Sequence, residues 1–200
     1  MTNLALSCHC GSVRGTLHDA ERGRQMVCYC DDCQTFAHHI GAGGTLDDNG
    51  GSHVVQSTPS RVTIESGAEH LGCVRLSPKG ALRWYATCCK TPMANLAPGA
   101  GLPFIGLSKA FVADDTVDAV VGPVQARVCG EWARGDAPSG THAGMPKLLM
   151  ARAAVGLLGD ALLGRAKPSP IRHADGSLIA EPTVLTREER AAARAQALGD

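Results

Sequence analysis

The sequence predicts a mainly β fold followed by a C-terminal α-helical extension. Over roughly the first 130 residues, short apolar or alternating runs are separated by Gly, Pro, Asp and Asn, which is typical of many short strands. After Trp132 the character changes to a polar Gly/Pro/Ser segment and then to helical periodicity. We therefore predict a β domain over residues 1–133, and a linker with a helical extension packed on it over residues 134–200.

The strand candidates share alternating or continuous apolar character and are bounded by turn residues. They are Leu4–Ser7, Val13–Leu17, Gln25–Cys30, His53–Gln56, Arg61–Glu65, Gly72–Leu76, Ala81–Thr87, Phe104–Leu107 and Val124–Val128.

Three helices are predicted. A short helix that Asp31 or Asp32 can cap follows the second thiol run and continues to Ile40. The longest helix, over residues 146–165, has one face marked by spacings of three and four, and we interpret it as a packed helix; this face comprises Leu148, Arg152, Val155, Leu158 and Leu162. A final helix begins at Thr186, with Glu189 as its capping-box partner.

Composition and charge exclude several classes of function. The 19 basic and 19 acidic residues cancel and form no basic block, so we expect no nucleic-acid partner. The most apolar segment, Leu148–Leu163, contains Arg152 and Asp160 and is too short for a membrane span. No secretory leader pattern opens the sequence, and we expect a cytoplasmic protein.

Thiols are the strongest functional signal. The chain has nine cysteines, and most of them are clustered at short spacings, which in a reducing compartment favours metal ligands over disulfides. The clusters are Cys8-His9-Cys10, Cys28-Tyr29-Cys30-Asp31-Asp32-Cys33 and the adjacent pair Cys88-Cys89. Alternate residues of a strand share a face, so each Cys-x-Cys can present two thiolates together. We predict one or two zinc ions.

The number of thiols separates two kinds of zinc site. Structural sites have four protein ligands, whereas catalytic sites have three and leave a position for water or substrate. Cys28, Cys30 and Cys33 make three, and an ion held by them can accept a substrate sulfur or a hydroxide. Cys8 and Cys10 supply half of another site, for which Cys88-Cys89 is the remaining thiol cluster.

These residues resemble the family of glutathione-dependent formaldehyde-activating enzymes, which includes centromere protein V. The resemblance covers roughly residues 4–130 and is carried by three segments in the family's order. They are Ser7-Cys8-His9-Cys10-Gly11-Ser12-Val13-Arg14, Cys28-Tyr29-Cys30-Asp31-Asp32-Cys33-Gln34 and Cys89-Lys90-Thr91-Pro92-Met93.

The resemblance implies a β-tent fold of antiparallel sheets around zinc-thiolate sites. It implies one zinc site made by the first Cys-x-Cys with the late cysteine pair, and a second site, tied to catalysis, made by Cys28, Cys30 and Cys33. The implied activity is that of a carbon-sulfur lyase, in which glutathione and formaldehyde combine to S-hydroxymethylglutathione. The implied partner is thus a small-molecule thiol or thiol adduct, with glutathione as one candidate.

The late cysteine pair departs from the family. The family pattern is Cys-x-x-Cys-Gly, whereas here Ala86 stands at the first cysteine and Lys90 at the glycine. Cys88 is adjacent to Cys89, and neighbouring residues rarely reach one tetrahedral ion without strain. Three alternatives follow: the two cysteines serve different sites, only Cys89 ligates, or one zinc is absent.

The remaining candidates have simpler interpretations. His9 is expected to face away from its flanking ligands, and His38 and His39 are interpreted as a surface pair, although a helix could bring one of them to the metal. Cys73 and Cys129 are interpreted as packed free cysteines.

Two other functional classes compete with the lyase. One is a non-catalytic zinc-stabilised binding module whose helix at 146–165 serves as a docking or homodimer surface. The other is a redox or thiol-transfer protein with one cysteine of low pKa.

Overall fold

The structure is a computed structural model that describes residues 2–97, 101–113 and 116–199. It is mainly β, as predicted, with two sheets and a C-terminal helical extension. The strands are β1 (Leu4–Ser7), β2 (Arg14–Leu17), β3 (Arg24–Cys28), β4 (Ser52–Ser57), β5 (Val62–Ser66), β6 (Leu71–Arg75), β7 (Leu82–Ala86), β8 (Pro92–Leu96), β9 (Ile105–Ser108), β10 (Val124–Val128) and β11 (Thr183–Val184). The helices are α1 (Asp31–His39), α2 (Val117–Val121), α3 (Lys147–Leu162) and α4 (Arg187–Leu198).

The small sheet has the order β1-β2-β5, and the large sheet has the order β10-β3-β4-β9-β8-β7-β6-β11. Within both sheets the inner pairs are antiparallel, but the two edge strands of the large sheet, β10 and β11, pair in parallel with β3 and β6. The other strand pairs are thus antiparallel, as expected, and these two edge pairs are the exceptions. Each edge strand reaches its partner through a long connection, which permits parallel pairing.

The main hydrophobic core contains side chains from both sheets. Leu6 of β1, Leu17 of β2, Trp84 of β7 and Leu107 of β9 are buried in one cluster. Burial alternates along β1 and β3, because successive strand residues point to opposite faces. Ile171, from the C-terminal part of the chain, joins the same cluster.

Helix α4 packs against α1. Ala193 and Ala197 are the buried residues of α4, and small side chains let two helices approach closely. The predicted capping box is confirmed: the Thr186 hydroxyl accepts a hydrogen bond from the Glu189 N–H at 3.1 Å, and the Glu189 carboxylate accepts one from the Thr186 N–H at 2.8 Å.

Helix α3 is present where it was predicted, but it is not packed as predicted. Leu148, Val155, Leu158 and Leu162, which mark its predicted apolar face, are exposed by 65%, 72%, 63% and 81%. The opposite side of the helix faces the large sheet across a cavity. No helix in the described part of the chain has the length and apolar character that a membrane span requires.

Candidate metal centres

Two groups of thiols come together in the structure. The first thiol cluster consists of Cys8, Cys10, Cys88 and Cys89, and the second consists of Cys28, Cys30 and Cys33. Within each cluster the sulfur atoms all lie within 4.8 Å of one another. All seven predicted metal-ligating cysteines are therefore in one cluster or the other.

Turns, not strands, position the early thiols of the first cluster. Cys8 follows β1 and begins a tight turn, in which the Gly11 N–H donates to the Cys8 carbonyl at 2.9 Å. The backbone N–H of Val13 donates to the Cys8 sulfur at 3.2 Å. The expectation that this Cys-x-Cys lies on a strand is wrong, because both sulfurs are presented by the turn.

The late thiols lie in the turn between β7 and β8. Lys90 there has a φ of 62°, the left-handed conformation that favours glycine, and its amino group lies 5.6 Å from the Tyr85 ring centroid. The Thr91 hydroxyl accepts a hydrogen bond from the His9 N–H at 2.9 Å and so joins the two turns. Cys88 and Cys89 both reach the first cluster and are not divided between the two sites.

The geometry of the first cluster suits a tetrahedral thiolate site. The Cys8 sulfur lies 3.6 Å from that of Cys10 and 3.9 Å from that of Cys88, and the Cys10 and Cys88 sulfurs are 3.4 Å apart. Four sulfurs around zinc are separated by about 3.8 Å when each Zn–S bond is about 2.3 Å. The donor set and its spacing therefore fit zinc.

The two adjacent cysteines differ electrostatically. Desolvation and the surrounding thiols raise the pKa of Cys88 to about 12. Desolvation also acts to raise the pKa of Cys89, but it is outweighed by hydrogen bonds from the Thr91 hydroxyl and from backbone N–H groups, which lower that pKa to about 6. Cys89 is thus the thiol of this pair that is more readily deprotonated for metal binding.

The second cluster spans the junction between β3 and α1. Cys28 ends β3, Cys30 is the N-cap residue of α1, and Cys33 lies in its first turn. The carbonyl of Cys30 accepts hydrogen bonds from the N–H groups of Cys33 at 3.1 Å and Gln34 at 3.3 Å. The three thiols therefore converge at a helix N-terminus, whose partial positive charge favours thiolate.

Arg83, which is only 6% exposed, provides a buried cation at this cluster. Its guanidinium lies 3.7 Å from the Cys33 sulfur, 3.7 Å from an Asp32 carboxylate oxygen and 3.4 Å from the Asn95 side-chain oxygen. Hydrogen bonds from Cys28 and Cys30 are the main reason that the pKa of Cys33 lies well below its ordinary value. Burial acts to raise this pKa but is outweighed, and the charge of Arg83 lowers it further. Arg83 is close in sequence to Cys88 and Cys89, but its guanidinium reaches the second cluster.

Cys129 is a functional candidate that sequence reasoning missed. Strand β10 runs parallel to β3 with Val128 opposite Cys28, and Cys129 is the next residue. The Cys129 thiol therefore lies close to that of Cys28, and the interaction with Cys129 is the largest of the causes that raise the Cys28 pKa. Cys129 also has a left-handed φ of 60°. Its sulfur is not within 4.8 Å of all three sulfurs of the second cluster, so Cys129 is not a member of that cluster.

The other expected residues stay away from the thiols. Cys73 is a buried core residue, as predicted. His9 is exposed, and neither His38 nor His39 joins a thiol cluster within the described residues. His38 is half-buried, burial lowers its pKa, and its Nε2 has no hydrogen-bond partner in the described structure.

A cavity of about 460 Å³ adjoins the second cluster and is lined in part by Cys28. The large sheet forms its floor and α3 forms its roof. Its size is within the range of small-molecule sites in proteins. The second cluster has three mutually close thiols and a neighbouring cavity, so it can bind a metal and leave room for a ligand.

Comparisons with known proteins place the chain in a family. No match was found among curated proteins. A crystal structure of a Rhodobacter sphaeroides protein, a Northeast Structural Genomics target, is similar with a TM-score of 0.42 and 17% sequence identity, over 60% of this chain and 97% of that chain. The model of DUF6151, a family of unknown function, matches residues 1–182, and the chain therefore belongs to that family.

Proposed function

We propose that this protein is a zinc-binding carbon-sulfur lyase of the formaldehyde-activating type, which acts on a thiol-aldehyde adduct such as S-hydroxymethylglutathione. One observation carries the proposal: three mutually close thiols, Cys28, Cys30 and Cys33, lie beside a cavity that one of them lines. Three protein ligands with adjoining space for a ligand are typical of catalytic zinc. The first cluster, with four thiols, is suited to a structural ion.

The chemistry is a reversible addition. The sulfur of a thiolate attacks the aldehyde carbon, a carbon-sulfur bond forms, and the electron pair of the carbonyl π bond moves to oxygen, which takes up the proton that the thiol has lost. No oxidant or reductant is consumed. Cys28, Cys30 and Cys33 would hold the zinc ion, which when bound would supply Lewis-acid chemistry for the sulfur or the carbonyl oxygen.

The protein's own residues prepare the site. Arg83 stabilises the Cys33 thiolate by charge, and the N-terminus of α1 adds a dipole of the same sign. Asn95 accepts a hydrogen bond from Arg83 and also lines the cavity. The charge that holds the thiolates is therefore fixed before a substrate arrives.

A non-catalytic zinc-stabilised module is the second candidate, and Cys129 favours it. Cys129 follows Val128, the partner of Cys28 in the sheet, so a change in the Cys129 side-chain torsion would bring a fourth sulfur toward the second cluster. A site with four protein ligands is closed and structural.

Elemental analysis of the purified protein, combined with three variants, distinguishes the two functions. For the lyase, Cys129→Ser keeps the metal content and the turnover of S-hydroxymethylglutathione measured by NMR, whereas Cys33→Ser remains folded and loses turnover. For the module, Cys129→Ser loses metal and stability, and turnover is absent throughout. Cys73→Ala, which removes a core thiol that belongs to neither thiol cluster, is the control.

A further inference from the structure

The wall of the cavity is built by residues at regular spacings. Arg24, Met26 and Cys28 occupy alternate positions of β3 and therefore face the cavity from one side of the sheet. Ala153 and Leu157, four positions apart on α3, face it from above. Alanine at 153 and 154 leaves the space that larger side chains would fill.

Most of the lining is apolar, and only a few polar side chains contribute to it. The apolar lining residues include Met26, Val54, Phe104, Leu149 and Leu157. Cys28 lies at one end of the β3 stretch and Arg24 at the other, about 13 Å away at about 3.3 Å per strand residue. A medium-chain alkyl group spans that distance.

The arginine end continues into a second cavity of about 190 Å³, which shares Arg24, Gln56 and Phe104 with the first. Arg22 and Arg61 are added there, and Asp160 is the carboxylate among its lining residues. Asp160 is paired with Arg165, and Arg61 lies 3.9 Å from Asp19. Positive charge thus exceeds negative charge at this end.

We propose that the cavity of about 460 Å³ between α3 and the large sheet binds an amphipathic small molecule. The alkyl chain of this molecule lies between α3 and the sheet, and its anionic end lies at Arg22 and Arg24. Its sulfur or carbonyl group then lies at Cys28, a placement that rests on the proposed lyase function. The substrate class is a medium-chain thiol or aldehyde that carries a carboxylate or a similar anion. The apolar wall of the cavity favours an alkyl chain as part of the thiol-aldehyde adduct.

Calorimetric titration of the full-length, zinc-loaded protein with decanoate and decanol, below micelle-forming concentrations, tests the proposal. We expect one decanoate per chain, with binding weakened at least 10-fold by Ala153→Trp. The matched control, Val155→Trp on the exposed side of α3, should stay within twofold of wild type. Arg24→Gln should weaken decanoate about 10-fold and leave decanol unchanged, whereas Arg14→Gln on β2 should change neither.

Two results overturn the proposal: the absence of saturable binding, or equal effects of the two tryptophan variants. If Arg24→Gln weakens the binding of decanoate and decanol equally, the placement of the ligand's anionic end at the arginines is overturned. Leu157→Gln, which makes the same wall polar, replaces Ala153→Trp if circular dichroism shows that the tryptophan variant is unfolded. If decanoate binds but no thiol adduct is turned over, the lyase proposal is overturned and the cavity assignment stands. If a thiol adduct is turned over but decanoate does not bind, the cavity assignment is overturned and the lyase proposal stands.

Discussion

Arg83 is the residue whose charge most directly affects a candidate ligand. It is buried, it lies 3.7 Å from the Cys33 sulfur, and its guanidinium carbon lies 5.7 Å from the Phe36 ring centroid. A buried cation next to a thiol favours the thiolate, and the other contacts hold the guanidinium in place. Cys33 is therefore maintained as a ligand and a nucleophile below the pH at which a free thiol ionises.

We predict that Arg83→Gln raises the pKa of Cys33 in the metal-free, reduced protein. The thiolate is the reactive form, so the midpoint of the pH profile for alkylation of Cys33 should move upward by about one unit. The measurement is the rate of iodoacetamide modification at Cys33, mapped by mass spectrometry across pH.

Arg190→Gln is the control for this prediction. Arg190 contacts the carboxylate of Asp32 at 2.9 Å, as Arg83 does at 3.7 Å, but it has no contact with a thiol among the described residues. Its removal should leave the Cys33 profile unchanged. If both variants shift the profile equally, Asp32 and not the guanidinium of Arg83 governs the thiol.

Single residues also show which parts of the candidate site can be predicted from the sequence and which cannot. The short spacings identified Cys8, Cys10, Cys28, Cys30 and Cys33 as clustered ligands, because local spacing alone brings these thiols together. Cys129 looked like an isolated residue, since its contact with Cys28 depends on the parallel pairing of β10 with β3. Strands distant in sequence carry no local signal of their partner or register.

At the scale of elements, α4 holds the loop and helix that carry the second cluster. Its Arg190 and Arg194 reach Asp32 and Asp31 of α1 at 2.9 and 3.3 Å. The guanidinium of Arg194 also lies 5.2 Å from the Trp132 ring centroid. These ion pairs are partly exposed to solvent and individually weak, so α4 depends on its cap and on its buried alanines.

We predict that Thr186→Val lowers the stability of α4 by about 1 kcal/mol, because the helix loses the side-chain acceptor of its capping box. Faster amide hydrogen exchange in α4 and in the first turn of α1 should report the change. Thr183→Val, an exposed position on β11, makes the same chemical change without a cap and should leave exchange unaltered. Equal exchange in the two variants would show that the capping box contributes nothing to α4.

The secondary structure could be predicted where the signal was local. Predicted strand positions agree to within two residues for β1 to β7, β9 and β10, and α1, α3 and α4 begin close to their predicted residues. Strand β8 was missed because it begins at a proline, which is rare within strands, and β11 because it has just two residues. The exposed apolar face of α3 could not be foreseen, since periodicity marks an apolar face without showing what covers it.

At the scale of the whole molecule, the two clusters constrain the chain differently. The first connects the turn after β1 to the turn before β8, and Cys8 and Cys88 are 80 positions apart. The second joins residues that lie within one strand-helix junction. In the chain-entropy model, closing a loop of this longer length stabilises a fold by about 4 to 5 kcal/mol, against about 2 kcal/mol for a loop of a few residues.

We therefore predict that the double variant Cys88→Ser/Cys89→Ser, which removes both late thiols of the first cluster, lowers the free energy of unfolding of the zinc-loaded protein by about 2 kcal/mol more than Cys30→Ser/Cys33→Ser does. Urea unfolding, with the metal content of each variant determined in parallel, measures the difference. Cys88 is exposed and Cys89 is half-buried, so their replacement by serine removes little packing and the loss reports the cross-link. With a chelator present, both variants should unfold like the wild-type protein. Equal losses in the loaded state would instead mean that the second cluster also closes a long loop, through Cys129, and would favour the structural module over the lyase.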